Sequence, residues 1–177
     1  MSNNNEIPDN RQEWSKLDWM EAQSKLGTLL LEHNFIKIEE FRFSNGKRAD
    51  IILERNTENA IYFGIIEVKT YKKLTRKIEK DAINQLCRYM NMLYKKVKNN
   101  NKWGIKSKYF FGVVVYTNDY PGIPIPLNSK EVEAKLPKDL IKNNNFSLFS
   151  CTPENLITKL NNRNLTGLKQ KKLGDFF

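Results

Sequence analysis

Ile61-Tyr62-Phe63-Gly64-Ile65-Ile66-Glu67-Val68-Lys69 is an apolar run that ends in two opposite charges one residue apart. Its β-branched and aromatic content reads as a strand, and a period of two puts Glu67 and Lys69 on one face with Val68 on the other. A carboxylate and an ammonium at the end of a buried strand cost several kcal/mol unless something compensates them. A divalent cation does so. Upstream, Arg48-Ala49-Asp50-Ile51-Ile52-Leu53 repeats the design: a carboxylate directly before an apolar run. If the two strands pair, Asp50 and Glu67 reach one point in space. Two hard carboxylate oxygens suit Mg²⁺ or Mn²⁺, which keep waters and take few protein ligands.

Outward from this pair, residues 35–43, 48–54 and 61–70 read as extended segments separated by turn-forming Ser44-Asn45-Gly46 and residues 56–59, which makes a meander. Before it, residues 13–33 place Trp19, Ala22, Leu26, Leu29, Leu30 and His33 on one helical stripe that stops at Asn34. After it, a second helix over residues 78–97 is carried by Ala82, Leu86, Tyr89 or Met90, Leu93 and Val97. Residues 109–116 form a continuous apolar run of the kind found in a strand buried on both faces, expected centrally in a sheet. Pro121, Pro124 and Pro126 then exclude regular pairing and imply an extended surface loop. A short strand over residues 146–150 follows. A last helix, capped near Thr152 with Pro153 in its first turn, runs to about residue 160. The expected organisation is a loose polar arm over residues 1–12, one α/β domain over 13–160 and a basic tail over 161–177.

At 177 residues with 40% hydrophobic composition, the chain has material for one sizeable core. Thirty Lys and Arg against twenty Asp and Glu give a net charge of +10, which favours a polyanionic partner, DNA before an acidic membrane surface. No window is apolar enough for a membrane span, and the polar start lacks a signal peptide's apolar region. An intracellular protein is expected, cytoplasmic or nucleoid-associated. Cys87 and Cys151 are too few for a disulfide framework and lack the spacing of a zinc or iron–sulfur site, so no cluster is expected and both read as buried thiols.

Asp50, a spacer, then Glu67-Val68-Lys69 on adjacent strands resembles the PD-(D/E)xK nuclease superfamily, over about residues 13–117. The element order is similar too: helix, meander, helix, strand. The resemblance implies a restriction-endonuclease-like core, a central mixed β-sheet flanked by helices. It implies a phosphodiesterase in which Asp50 and Glu67 hold Mg²⁺ or Mn²⁺ with the Val68 carbonyl as an extra ligand, while Lys69 positions the attacking water or neutralises charge. Ala49 stands where the family name has proline. Gln85 and Tyr89 resemble the Gln-x-x-x-Tyr motif of the RecB-like branch, beside the metal and touching DNA; the alternative is a core Tyr89 with a solvated Gln85. The family's first helix often adds a glutamate. Glu21 is the nearest candidate, off the apolar stripe, whereas counting back from Phe35 as in junction resolvases lands on Gln23. His33, the one histidine, reads as a packed residue. Arg48, Lys72, Lys73 and Arg88 are the candidate DNA contacts.

Gln170-Lys171-Lys172-Leu173-Gly174-Asp175-Phe176-Phe177 resembles the PIP box, the peptide by which replication and repair enzymes dock on the PCNA sliding clamp. One helical turn brings Leu173, Phe176 and Phe177 to one side as an apolar plug with Gln170 beside it. Alternatively the two aromatics fold back on the domain. These readings together point to a metal-dependent DNA nuclease acting on single-stranded or branched DNA and recruited to a clamp. The competing readings are a dimeric Holliday junction resolvase and a catalytically weak DNA- or clamp-binding adaptor.

Overall fold

A computed structural model describes residues 10–43, 45–100, 104–118, 125–143, 145–163 and 165, with only the backbone of residues 10–12 and 36–41. In chain order the elements are α1 (Asn10–Lys16), α2 (Trp19–Glu32), β1 (Ile36–Arg42), β2 (Arg48–Asn56), β3 (Ala60–Lys69), α3 (Arg76–Lys98) and β4 (Ser107–Tyr116). Then follow α4 (Lys130–Glu133), α5 (Lys138–Lys142), β5 (Phe146–Cys151), a 3₁₀ turn (Pro153–Asn155) and α6 (Leu156–Asn162). The five strands lie in the order β1-β2-β3-β4-β5. β1, β2 and β3 pair antiparallel as the meander, whereas β3, β4 and β5 pair parallel, so the sheet is mixed. The fold class is α/β, as the sequence implies.

Strand alternation sorts the core into two layers. Phe63, Ile65, Phe110 and Val114 face α3, α4 and α5, while Ile66, Val68, Phe111, Val113 and Val115 face α1, α2 and α6. Because both faces are covered, β3 and β4 carry no polar alternation, which is why they read as continuous apolar runs. β3 is the central strand; β4, expected there, is its interior neighbour. Gly64 is the register partner of Phe111, and its missing side chain makes room for that ring.

α3 is the long crossover helix of the parallel β3-α3-β4 unit. Its core stripe is Ala82, Ile83, Leu86, Tyr89, Met90, Leu93 and Val97, Thr75 caps its start by accepting from the Ile78 amide, and Asn99 closes it. Lys95, Lys96 and Lys98 in its last turn complement the helix dipole.

The structure differs from the sequence reading in three places. The single helix expected over residues 13–33 is two helices, and the first begins at Asn10, inside the stretch read as an arm. The break comes from Asp18, whose carboxylate accepts from the Glu21 amide while the Glu21 carboxylate accepts from the Asp18 amide. This reciprocal box starts α2 afresh. Second, residues 127–142 are not an extended loop: Leu127, Val132, Leu136 and Leu140 are buried against the α3 face by α4 and α5. Proline is compatible with this because Pro137 sits at the N-cap of α5, where no helix hydrogen bond is lost. Third, Pro153 opens a 3₁₀ turn before α6. Asn34, the expected stop, sits at φ 63° directly after the C-cap of α2, His33.

Candidate active site

β3 runs buried from Phe63 to Val68 and carries Glu67 into the interior, where none of it reaches solvent. Continuing the alternation from Ile65, Glu67 and Lys69 face α3, as period two requires. The Lys69 ammonium donates to Glu67 Oε2 at 3.2 Å and to Gln85 Oε1 of α3 at 3.1 Å. The Gln85 amide donates in turn to the Tyr89 hydroxyl at 3.3 Å. Four polar side chains from β3 and α3 therefore form one connected row.

Tyr89 is a core residue with a polar tip, and Gln85 is half-buried and not a solvated neighbour. The Tyr89 ring is buried and stacks on Phe43 at 5.6 Å, while its hydroxyl meets Gln85.

Asp50 closes the site from β2. It is 8% exposed, and its Oδ2 accepts from the Val68 amide at 2.7 Å, tying the first carboxylate to the backbone between the second and the lysine. The Trp19 side chain, in the first turn of α2, helps to pull the Asp50 carboxyl down, and the Arg48 guanidinium lies over the Trp19 ring at 5.6 Å. Sequence periodicity assigned Trp19 to the core stripe and missed this contact; its one signal was a polar N–H on a ring that seldom buries completely.

Electrostatics follow from burial. Loss of hydration pushes the Glu67 carboxyl up to about 8; the Asp50 charge adds to this, and Lys69 opposes it without winning. Asp50 is also raised, chiefly by burial, although the Val68 amide and the Lys69 and Arg48 charges pull it down. Glu67 Oε1 has no hydrogen-bond partner.

A divalent cation fits this donor set. The orphaned oxygen is buried, the two carboxylates repel each other, and both are hard donors that Mg²⁺ or Mn²⁺ prefers. Among the described residues no group of three His, Cys, Asp or Glu gathers to hold a metal. The set is thus two carboxylates, which suits an ion that retains several waters. Glu21 is not brought to them: it is exposed, and its carboxylate is engaged at the N-cap of α2. Gln23 is buried, with an orphaned Oε1 of its own.

Arg48, Lys72, Lys73 and Arg88 are all exposed. His33 caps α2, where its carbonyl accepts from Arg55. Cys87 and Cys151 are buried free thiols, the latter pushed up to about 12 by burial. The clamp-motif residues Gln170, Leu173, Phe176 and Phe177 lie outside the described residues. No helix among the described residues is long and apolar enough to cross a membrane.

Two contacts anchor described residues beyond β4, at Thr117 and Ile125. The Thr117 amide donates to the Lys69 carbonyl at 3.1 Å, and buried Glu79 of α3 pairs with Arg76 at 2.9 Å and accepts from the Ile125 amide. An acid in a helix's first turn was the one sequence signal for Glu79, and its burial was not legible there.

No protein-family model matches the chain, and no curated protein does. Among solved structures it is similar to the restriction endonuclease FokI, with a TM-score of 0.47 and 12% identity over 97% of this chain. It is likewise similar to FokI bound to DNA, with a TM-score of 0.47 and 14% identity over 84% of this chain. The chain spans 30% and 25% of the lengths of those two chains.

Proposed function

We propose that this chain is a Mg²⁺- or Mn²⁺-dependent deoxyribonuclease whose site is Asp50, Glu67 and Lys69, with the Val68 carbonyl as a further metal ligand. The observation that carries the reading is the buried Glu67 carboxylate, with one oxygen on Lys69 and the other on nothing, beside Asp50. Such an arrangement stores unfavourable electrostatics at one point, which a divalent cation relieves.

A bound divalent ion supplies acidification of a water and neutralisation of phosphoryl charge. The chain's own groups do the rest. Asp50 is held by the Val68 amide, so its carboxylate is aimed before any ligand arrives. Lys69 is held between Glu67 and Gln85, leaving its third proton for a water or a phosphate oxygen. Gln85 and Tyr89 keep that ammonium in place and reach towards the strand to be cut. Arg48, Lys72, Lys73 and Arg88 would meet DNA phosphates, a role supported by their exposure and by the net charge of +10.

Within this reading the substrate is single-stranded or branched DNA, supported by the Gln85–Tyr89 pair. Docking on a PCNA-like clamp through Gln170, Leu173, Phe176 and Phe177 is supported by the motif alone. Incubation with single-stranded, flapped, nicked and four-way-junction DNA tests the proposal. Cleavage of at least one is expected with Mg²⁺ or Mn²⁺, and Asp50→Ala, Glu67→Ala and Lys69→Ala should abolish it while DNA binding persists. Paired symmetric cuts of the junction by a dimer would point to a resolvase. Absence of cleavage on every substrate with either metal would overturn the nuclease reading and leave an adaptor.

A further inference from the structure

The turn between β3 and α3 presents an aromatic ring and two cations to solvent from a backbone tied at both ends. Tyr71 is 53% exposed, one of few large apolar side chains so placed. Its carbonyl accepts from the Asn118 side-chain Nδ2 at 3.1 Å, and two residues earlier the Lys69 carbonyl accepts from the Thr117 backbone amide. Beyond the turn, Leu74 is buried and Thr75 caps α3. Lys72 and Lys73, between these anchors, are exposed, with no ion-pair partner among the described residues.

A lone exposed aromatic needs no explanation. This one is different in two respects. It stands two residues from Lys69, within roughly 7 Å of chain. Its neighbours are cations without an ion-pair partner among the described residues, on a fixed backbone, so ring and charges are presented together with only side-chain rotamers left to order. An aromatic face with adjacent positive charge is the chemistry that takes an unpaired nucleobase and its phosphates.

We propose that Tyr71 is a stacking platform for an unpaired base of a DNA strand entering the site, with Lys72 and Lys73 on the neighbouring phosphates. The proposal deepens the nuclease reading and rests on it for the placing of the strand. A base inside a duplex has no free face for the ring, so the platform selects single-stranded or frayed DNA.

The test uses the full chain, without metal, and a single-stranded oligonucleotide carrying 2-aminopurine, whose fluorescence is quenched when it stacks. Quenching is expected with the wild type and with Tyr71→Phe. Tyr71→Ala should lose the quenching and bind the single strand roughly tenfold more weakly, while all three bind a duplex of equal length alike. If Tyr71→Ala quenches and binds as the wild type does, or if the wild type does not bind the strand, the platform is refuted. Adding Mg²⁺ to the same samples separates the two ideas. Stacking by a wild type that cuts none of the single-stranded, flapped, nicked and four-way-junction substrates with Mg²⁺ or Mn²⁺ sinks the nuclease reading alone, and cleavage by a Tyr71→Ala protein of unchanged affinity sinks the platform alone.

Discussion

Lys69 and Glu67 share a hydrogen bond of 3.2 Å, yet the second Glu67 oxygen is buried without a partner. An ion pair built for stability alone would satisfy both oxygens, because an orphaned buried acceptor costs about 1–3 kcal/mol. Under the proposed function, that unpartnered oxygen is the one left for the cation.

Stability of the metal-free protein should fall as pH rises. Glu67 titrates at 4.5 in an ordinary environment and at about 8 in the fold, so between those values the folded state keeps a proton that the unfolded chain releases. Its contribution is whole below the lower value and is lost as pH passes the upper one. Glu67→Gln keeps the shape and removes the titration. Thermal melts in EDTA should show the variant gaining on the wild type towards the alkaline end of that window, at about 2–4 °C per kcal/mol. Parallel curves across the window would contradict the burial argument.

Gln85→Ala should leave folding nearly intact and cut the cleavage rate, because it removes the second partner of Lys69 and no core volume. A drop in kcat of roughly tenfold, with little change in KM, is expected of a positioning residue. Tyr89→Phe should be milder, since the stack on Phe43 survives. Tyr89→Ala opens a cavity and should cost about 3–5 kcal/mol in denaturant melts.

Much of this was legible in the sequence for physical reasons. β2, β3 and α3 announce themselves because both sheet faces are covered and α3 has an unbroken stripe, and period two placed Glu67 with Lys69. Pairing of β2 with β3 needed only the short turn between them. Other features depend on contacts between distant segments. Trp19 looks apolar until Asp50 meets its indole. Gln23 looks polar until α2 buries it. The Asp18-Trp19-Met20-Glu21 box is a readable helix start, but a continuous apolar stripe masked it. α4 and α5 were hidden by the prolines before them, although Val132, Leu136 and Leu140 carry four-residue spacing.

Gly64→Ala should destabilise the fold without touching the site. A Cβ there would lie 2.2 Å from the Phe111 ring, in a strand held on both sides, so neither partner can move cheaply. Overpacking of this kind costs about 1–3 kcal/mol or more. Phe111→Leu in the same chain should recover part of the loss, and a double-mutant cycle in urea would measure the coupling. An additive pair would show that the ring does not need the missing side chain.

Calorimetric titration with Mn²⁺ at neutral pH tests the central claim most directly. Saturable binding that releases protons is expected, because Glu67 must ionise to take the ion. Asp50→Ala and Glu67→Ala should each abolish that binding, and Lys69→Ala should retain it. A wild type that binds no Mn²⁺, or a Glu67→Ala protein that binds it unchanged, would contradict the account.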